Sequence, residues 1–169
     1  TLELSSAASD VYKRQASSPV DGLIYYSGLT GWQAGATQEG SIQRLRHTGN
    51  KGIYLMEAKA RKNRLELTFT EPVNADSIKK DSFAASAWNY RWSKGYGSPT
   101  FKISDPEVRG DDKLSIESID LSKDGKQLIV QIPELSPCHN LKLDFAVGGK
   151  NGASLAGPVY FTIHKLPES

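Results

Sequence analysis

Residues 64–70 read RLELTFT, and this stretch decides the fold class. Its apolar and polar side chains alternate strictly, with Leu65, Leu67 and Phe69 on one face. A period of two is the pattern of a strand that buries one side and exposes the other. The following residues 71–74, EPVN, end the strand, because proline cannot donate to the ladder and asparagine favours turns.

Three further runs in the C-terminal half alternate in the same way. Their shared faces are Leu128, Val130 and Ile132; Leu141, Leu143, Phe145 and Val147; and Val159, Phe161 and Ile163. Turn signals separate these runs: Asp124-Gly125 supplies the positive φ of a tight turn, and residues 148–152 are rich in glycine. Short strands separated by turns predict an all-β chain with a β-sandwich.

The region between these strands has a less regular pattern. Residues 76–81 predict one helical turn, with Asn74 or Asp76 as its cap. Residues 87–93 predict a strand, and 94–113 a long polar connection with a short strand at 100–103. Residues 114–121 predict one strand with a bulge near 117–118, because its inward positions change phase.

The N-terminal part predicts a separate hairpin. Residues 22–27 and 41–47 are short strand-like runs, and a glycine-rich loop carrying Trp32 joins them. Two strands cannot bury a core alone. They therefore need further strands outside this chain, or they dock on the second unit.

Composition limits the functional classes. The 169 residues are 38% hydrophobic and 24% charged, as in globular proteins. The 21 Lys and Arg against 19 Asp and Glu give a net charge of +2, which does not suggest nucleic acid as a partner. The single cysteine, Cys138, excludes an internal disulfide. The longest run without charged residues, 22–38, is interrupted by glycines, so no membrane-spanning helix is predicted.

The first residues require separate treatment. Residues 10–15 read DVYKRQ, which matches the translation of a transposon-end adapter used in preparing sequencing libraries. We therefore expect 1–15 to be an adapter artefact or a disordered tail, with a native chain that begins near Ala16. The alternative is a chance hexapeptide in a polar tail. If the adapter match is real, the lack of a signal peptide carries no information about compartment.

Residues 65–159 resemble a bacterial immunoglobulin-like domain of the S-layer and cell-surface type. The segments that carry the resemblance are 67–74 (LTFTEPVN), 81–83 (DSF), 121–128 (LSKDGKQL) and 149–152 (GKNG). The resemblance implies an immunoglobulin-like sandwich over 53–166. The departure from this pattern is a long insert at 84–112.

A second resemblance covers 19–166. It is to the large secreted bacterial proteins whose β-propeller is similar to quinone-dependent sugar or sorbosone dehydrogenases, often with a cytochrome-c-type haem domain. The segments that carry it are 21–22 (DG), 29–33 (LTGWQ), 43–49 (QRLRHTG), 88–92 (WNYRW), 96–98 (YGS) and 163–166 (IHKL). This resemblance implies that residues 16–52 are the end of the last propeller blade and form the hairpin predicted above.

The second resemblance implies a C-terminal fragment of a periplasmic or extracellular protein. The chain would then be a non-catalytic accessory module that packs on the upstream propeller of the same polypeptide. Quinone or haem sites would lie upstream, since Cys138-His139 lacks the first cysteine of a haem-attachment motif. No catalytic, cofactor-binding or metal residue is assigned to this chain. Its parent would be the sugar-oxidising enzyme.

The candidate binding residues are aromatic. Trp88, Tyr90 and Trp92 share one face of a predicted strand, and Tyr96 and Trp32 could extend the surface. Flat π surfaces of this kind can stack against sugar rings, which predicts a carbohydrate-binding module. The other interpretation is that the row is buried, either against the propeller or in the sandwich core, because aromatic side chains bury large areas. Arg91 lies on the opposite face and is expected to be solvated.

Other chemistry-bearing residues lack the pattern of a site. The histidines, His47, His139 and His164, lie in separate strands without ligand-spaced partners. The acidic group in the polar connection (Asp105, Glu107, Asp111 and Asp112) lacks the regular spacing of a calcium loop, so a solvated loop is expected. Cys138 is expected to be a small buried hydrophobic residue.

Overall fold

The structure is a computed structural model, and it describes residues 14–28, 41–46, 49, 51–95 and 97–167. The chain divides into two compact units, Thr1–Asn50 and Lys51–Ser169. The described residues form three antiparallel sheets and contain no α-helix. The predicted all-β class is therefore confirmed, and the second unit is consistent with a β-sandwich.

The N-terminal unit is a three-stranded sheet in the order β1-β2-β3. Its strands are β1 (Arg14–Ser17), β2 (Ile24–Gly28) and β3 (Ser41–Leu45). The predicted β2–β3 pair is present, with Ile24 opposite Leu45. Strand β1 was not predicted, and it includes two residues assigned to the expected tail. In the β1–β2 turn, the Tyr25 hydroxyl donates a 2.7 Å hydrogen bond to Asp21 and lowers the pKa of that carboxyl group.

The second unit consists of two sheets. Its strands are β4 (Leu55–Arg61), β5 (Arg64–Phe69), β6 (Ala84–Tyr90), β7 (Thr100–Phe101), β8 (Asp112–Leu114), β9 (Ile119–Leu121), β10 (Gln127–Gln131), β11 (Cys138–Gly148) and β12 (Ser154–Ile163). One sheet has the order β4-β5-β10-β9. The other has the order β12-β11-β6-β7, and β8 also pairs with β6.

Both sheets contribute to one hydrophobic core. Strands β5 and β10 bury Leu65, Leu67, Phe69, Leu128 and Val130, and β11 buries Leu141, Leu143, Phe145 and Val147. The ring of Phe145 lies 6.2 Å from that of Phe69 in an edge-to-face arrangement, so side chains of the two sheets meet directly. The alternating inward positions predicted for these strands are confirmed, because burying one face is what a period of two provides.

Residues 114–121 do not form the single bulged strand predicted from the sequence. They supply the end of β8, which pairs with β6, and then β9, which pairs with β10 in the other sheet. The change of phase therefore marks a crossing from one sheet to the other. Residues 84–90, the first part of the expected insert, form a strand between β11 and β7.

Local turns follow the predicted chemistry. Asn74 caps a short 3-10 turn, Ala75–Ser77, by accepting a hydrogen bond from the Asp76 amide, and a second 3-10 turn spans Lys80–Ser82. The predicted Asp-Gly hairpin joins β9 to β10, and its Gly125 has a φ of 73°. A left-handed conformation of this kind favours glycine because it has no Cβ.

Replacing Gly125 with alanine is expected to destabilise the second unit by about 1–2 kcal/mol, the typical cost of the left-handed region for an L-residue. A further cost arises because the new Cβ would lie 3.3 Å from the Cβ of Pro72. Gly152→Ala is the matched control, since φ there is 82° and nothing lies within 4 Å. Chemical denaturation measures both variants. Equal costs would contradict a contribution from the Pro72 contact.

Candidate functional site

Strand β6 presents two different faces. Ala85 and Ala87 point into the core and are almost fully buried. Ser86, Trp88 and Tyr90 alternate with them on the outer face, since successive strand residues point to opposite sides. The interpretation that the aromatic row forms part of the sandwich core is therefore wrong: the core positions of this strand are filled by alanines.

The exposure of the row increases along the chain. Trp88 is half-buried, Tyr90 is 41% exposed, and Trp92, just beyond the strand, is 90% exposed. Trp32 and Tyr96, the other two predicted members, lie outside the described residues. The described row is thus a surface of three aromatic side chains at the end of β6.

His139 on β11 supports Tyr90. The Tyr90 amide donates a 2.9 Å hydrogen bond to His139 Nδ1, and the two rings are stacked with centroids 6.4 Å apart. The His139 amide donates in turn to Asn89 Oδ1 at 2.8 Å. These contacts hold Tyr90 and the end of β6 against β11. The sequence interpretation missed the role of His139, because it lies about fifty positions from its partners along the chain.

Arg91 is not the purely solvated side chain predicted from the sequence. Its guanidinium group pairs with Glu107 and donates to the Pro106 carbonyl group. It also lies 4.6 Å from the centroid of the Phe101 ring, in a cation–π arrangement. Arg91 therefore ties the polar connection to the segment between Tyr90 and Trp92.

Trp88 borders a small cleft on the outer face. The cleft has a volume of about 280 Å³ and is lined by Ser86, Trp88, Thr100, Asp111 and Lys142. Hydroxyl, carboxylate and ammonium groups thus surround one aromatic ring. The indole Nε1 of Trp88 is buried and has no hydrogen-bond acceptor among the described residues. Hydroxyl-rich ligands suit such a mixture of a flat apolar surface and a few convergent polar groups.

Asp112 organises the loop next to this cleft. Its carboxylate accepts hydrogen bonds from the amides of Ile103 and Ser104 at 2.7 and 2.8 Å, and from the Ser104 hydroxyl at 2.7 Å. The Ser104 bonds, followed by that of Ile103, lower the pKa of Asp112 below its ordinary value of 3.8. The carboxylate is therefore a structural acceptor.

Because the pKa of Asp112 is lower in the folded state than in the unfolded state, the charged form favours folding. This stabilisation is present above pH 3.8 and is lost as the pH falls through the lower folded value. Asp112→Asn is expected to melt below the wild-type chain at neutral pH, with a difference that shrinks in acid. The neighbouring Asp111→Asn is the control, because Asp111 does not accept these bonds. A difference that is independent of pH would contradict this role.

The other residues considered from the sequence do not converge on a site. Cys138 is buried, as expected, and burial raises the pKa of its thiol. His164 is exposed, and His47 lies outside the described residues. Within the described ranges, no three His, Cys, Asp or Glu side chains are grouped to hold a metal ion. No helix in the same ranges is long and apolar enough to cross a membrane.

No protein-family model matches the chain, and no curated protein matches it. The resemblances to an immunoglobulin-like domain and to a propeller tail therefore rest on the quoted segments alone.

Proposed function

We propose that the second unit is a non-catalytic carbohydrate-binding module. The observation that carries the proposal is the position of Trp88 and Tyr90 on the outer face of β6, with Trp92 exposed just beyond the strand. None of the three side chains belongs to the core. Large exposed aromatic side chains lower the solubility of a protein, and they commonly mark binding surfaces. Trp92, at 90% exposure, is the clearest case.

The surroundings of the row favour a sugar over a purely apolar ligand. A pyranose ring has an apolar face of C–H groups and a rim of hydroxyl groups. The indole of Trp88 offers a surface for the face, and Ser86, Thr100, Asp111 and Lys142 offer partners for the rim. Tyr90, held by His139, would extend the stacking surface beside it. Stacking supplies affinity, and the polar groups fix orientation.

Titration of the full chain with soluble glycans tests this proposal. Glucose, cellohexaose, maltohexaose and xylohexaose are the probes, and intrinsic tryptophan fluorescence and calorimetry are the readouts. We expect saturable quenching, together with heat of binding, from at least one of the four. If none of the four glycans produces either signal, carbohydrate binding by this surface is contradicted.

A second candidate is an accessory module that packs on the propeller of a secreted dehydrogenase-like parent through the same row. The specific observation in its favour is that Trp92 is almost wholly exposed at the end of an ordered strand. The second resemblance implies that the partner is the upstream propeller of the same polypeptide. It would also supply a periplasmic or extracellular location, and an immunoglobulin-like topology for the sandwich. A quinone or haem would then belong to the upstream part.

The two candidates differ in what removal of an aromatic side chain does. If the row is buried against a propeller, Trp92→Ala lowers the stability of the longer polypeptide by about 3–5 kcal/mol, as for a buried aromatic residue. If the row binds sugar, the same change leaves stability unaltered and weakens binding. Calorimetric melting of the longer polypeptide distinguishes these results.

A further inference from the structure

A groove continues from Trp88 along β6. The outer face of the strand carries only small side chains, Ala84 and Ser86, before Trp88. Longer side chains flank them: Lys142 of β11 and Lys113 of β8 lie on either side of Ser86, and Asp144 lies opposite Ala84. Small residues on a central strand between long residues on its neighbours leave a trough in the sheet surface.

Two clefts occupy this trough. The cleft at Trp88, of about 280 Å³, neighbours a larger one of about 530 Å³, since Ser86 and Asp111 line both. The larger cleft extends past Ala84 to Lys80 and Asp81. From Ala84 to Trp88 the strand rises by about 13 Å, at roughly 3.3 Å per residue. The groove is therefore longer than a single sugar ring.

The walls of the groove are electrically balanced. Lys142 Nζ pairs with Asp144 at 2.8 Å, and this hydrogen bond raises the pKa of the lysine. The remaining lysines, Lys80 and Lys113, share the larger cleft with Asp81 and Asp111. Because cationic and anionic groups are equal in number, the groove offers no net attraction to a charged chain.

The larger cleft also reaches the edge of the hydrophobic core. Part of its lining is apolar and comes from residues that belong to the core or pack against it: Phe83, Ala85, Leu114 and Ile116. This part lies where the chain leaves β8 and crosses to the other sheet, and Ala84, the first residue of β6, lies beyond the end of β8. The larger cleft therefore combines apolar and charged side chains at the end of β6 that is distant from Trp88.

We propose that this groove binds successive rings of a neutral, linear oligosaccharide, with one ring stacked on Trp88 and the next ones lying along Ser86 and Ala84. The proposal rests on the carbohydrate-binding function and specifies its substrate class. The module would then recognise the interior of a glycan chain rather than a single terminal sugar. Charge balance and the length of the trough are the two observations that select this ligand.

Calorimetric titration of the full chain tests the proposal with matched pairs of probes. Glucose is compared with cellohexaose and maltohexaose, and xylose with xylohexaose; hexagalacturonate represents an acidic chain. We expect a neutral hexasaccharide to bind at least tenfold more tightly than its monosaccharide, and more tightly than hexagalacturonate. Ser86→Gln should fill the trough and lower the affinity for the hexasaccharide at least tenfold. Ser154→Gln, on β12 away from the clefts, should leave the affinity unchanged.

The possible results distinguish binding along the groove from carbohydrate binding in general, on which it depends. Two results would contradict binding along the groove and leave single-ring binding at Trp88 intact. One is equal affinity for the monosaccharide and the hexasaccharide. The other is an unchanged affinity in a Ser86→Gln variant that melts like the wild-type chain. Preference for hexagalacturonate would overturn the neutral class. Absence of binding by every probe would contradict the proposed function itself, and the groove proposal with it.

Discussion

Replacing Phe145 with alanine is expected to lower the free energy of unfolding of the second unit by about 3–5 kcal/mol, the usual cost of removing a buried phenylalanine. Phe145 is 5% exposed and contacts Phe69 of the other sheet. It also lies 6.4 Å from Phe83, which precedes β6. Its removal would leave a cavity where three segments meet, and well-packed cores relax only partly around such a cavity. Urea denaturation followed by circular dichroism measures the change.

Trp92→Ala is the control for this variant. It removes a larger aromatic side chain, but one that is 90% exposed, so a change within about 0.5 kcal/mol is expected in the same assay. Similar losses from both variants would contradict the assignment of Phe145 to the core and of Trp92 to the surface.

Trp88→Ala is expected to weaken glycan binding by at least tenfold, because Trp88 provides the one aromatic ring that lines the smaller cleft among the described residues. Tenfold corresponds to about 1.4 kcal/mol, within the range of an aromatic contact at a binding centre. Trp92→Ala should weaken binding less than Trp88→Ala, because Trp92 lies outside both clefts. Fluorescence and calorimetric titrations with the tightest hexasaccharide compare the variants.

Tyr54→Ala is the matched aromatic control. Tyr54 is 61% exposed and precedes β4, at the edge of the other sheet. Its removal should leave glycan affinity unchanged. If Tyr54→Ala weakened binding as much as Trp88→Ala, the aromatic requirement would not be specific to the outer face of β6.

Strong alternation made the central strands predictable. In β5, β10 and β11, leucine, valine and phenylalanine occupy every second position, and the structure buries those positions. The Asp-Gly hairpin could be predicted equally well, because only a few residues adopt positive φ at low cost. Strand β4 was not predicted: its sequence LMEAKAR mixes exposed and half-buried positions with little contrast, as expected at a sheet edge.

Strand β6 shows why the site was only partly predictable. Alternation placed Trp88, Tyr90 and Trp92 on one face, but it could not tell which face pointed inward. The large apolar area of the tryptophans favoured their burial, whereas the alanines occupy the core positions. Which side chain faces the core depends on the space that the opposite sheet leaves, and that is a property of the whole sandwich.

The contacts around the row were not predictable for a different reason. His139 and Lys142 reach the outer face through the β6–β11 pairing, and Asp111 through the loop before β8. These residues are distant in sequence and have no spacing pattern that would link them. Only the strand order brings them beside Trp88.

The most direct test of carbohydrate binding at the outer face of β6 is an NMR titration of the full chain with a neutral hexasaccharide, observed at the tryptophan indole N–H signals. Trp88→Phe and Trp92→Phe variants assign the signals. We expect the Trp88 signal to shift, with a smaller shift for Trp92, while the backbone amide signals of the buried β5 and β10 residues stay in place. Saturating binding that leaves both indole signals unmoved would contradict binding at this face, and would place the ligand elsewhere on the chain.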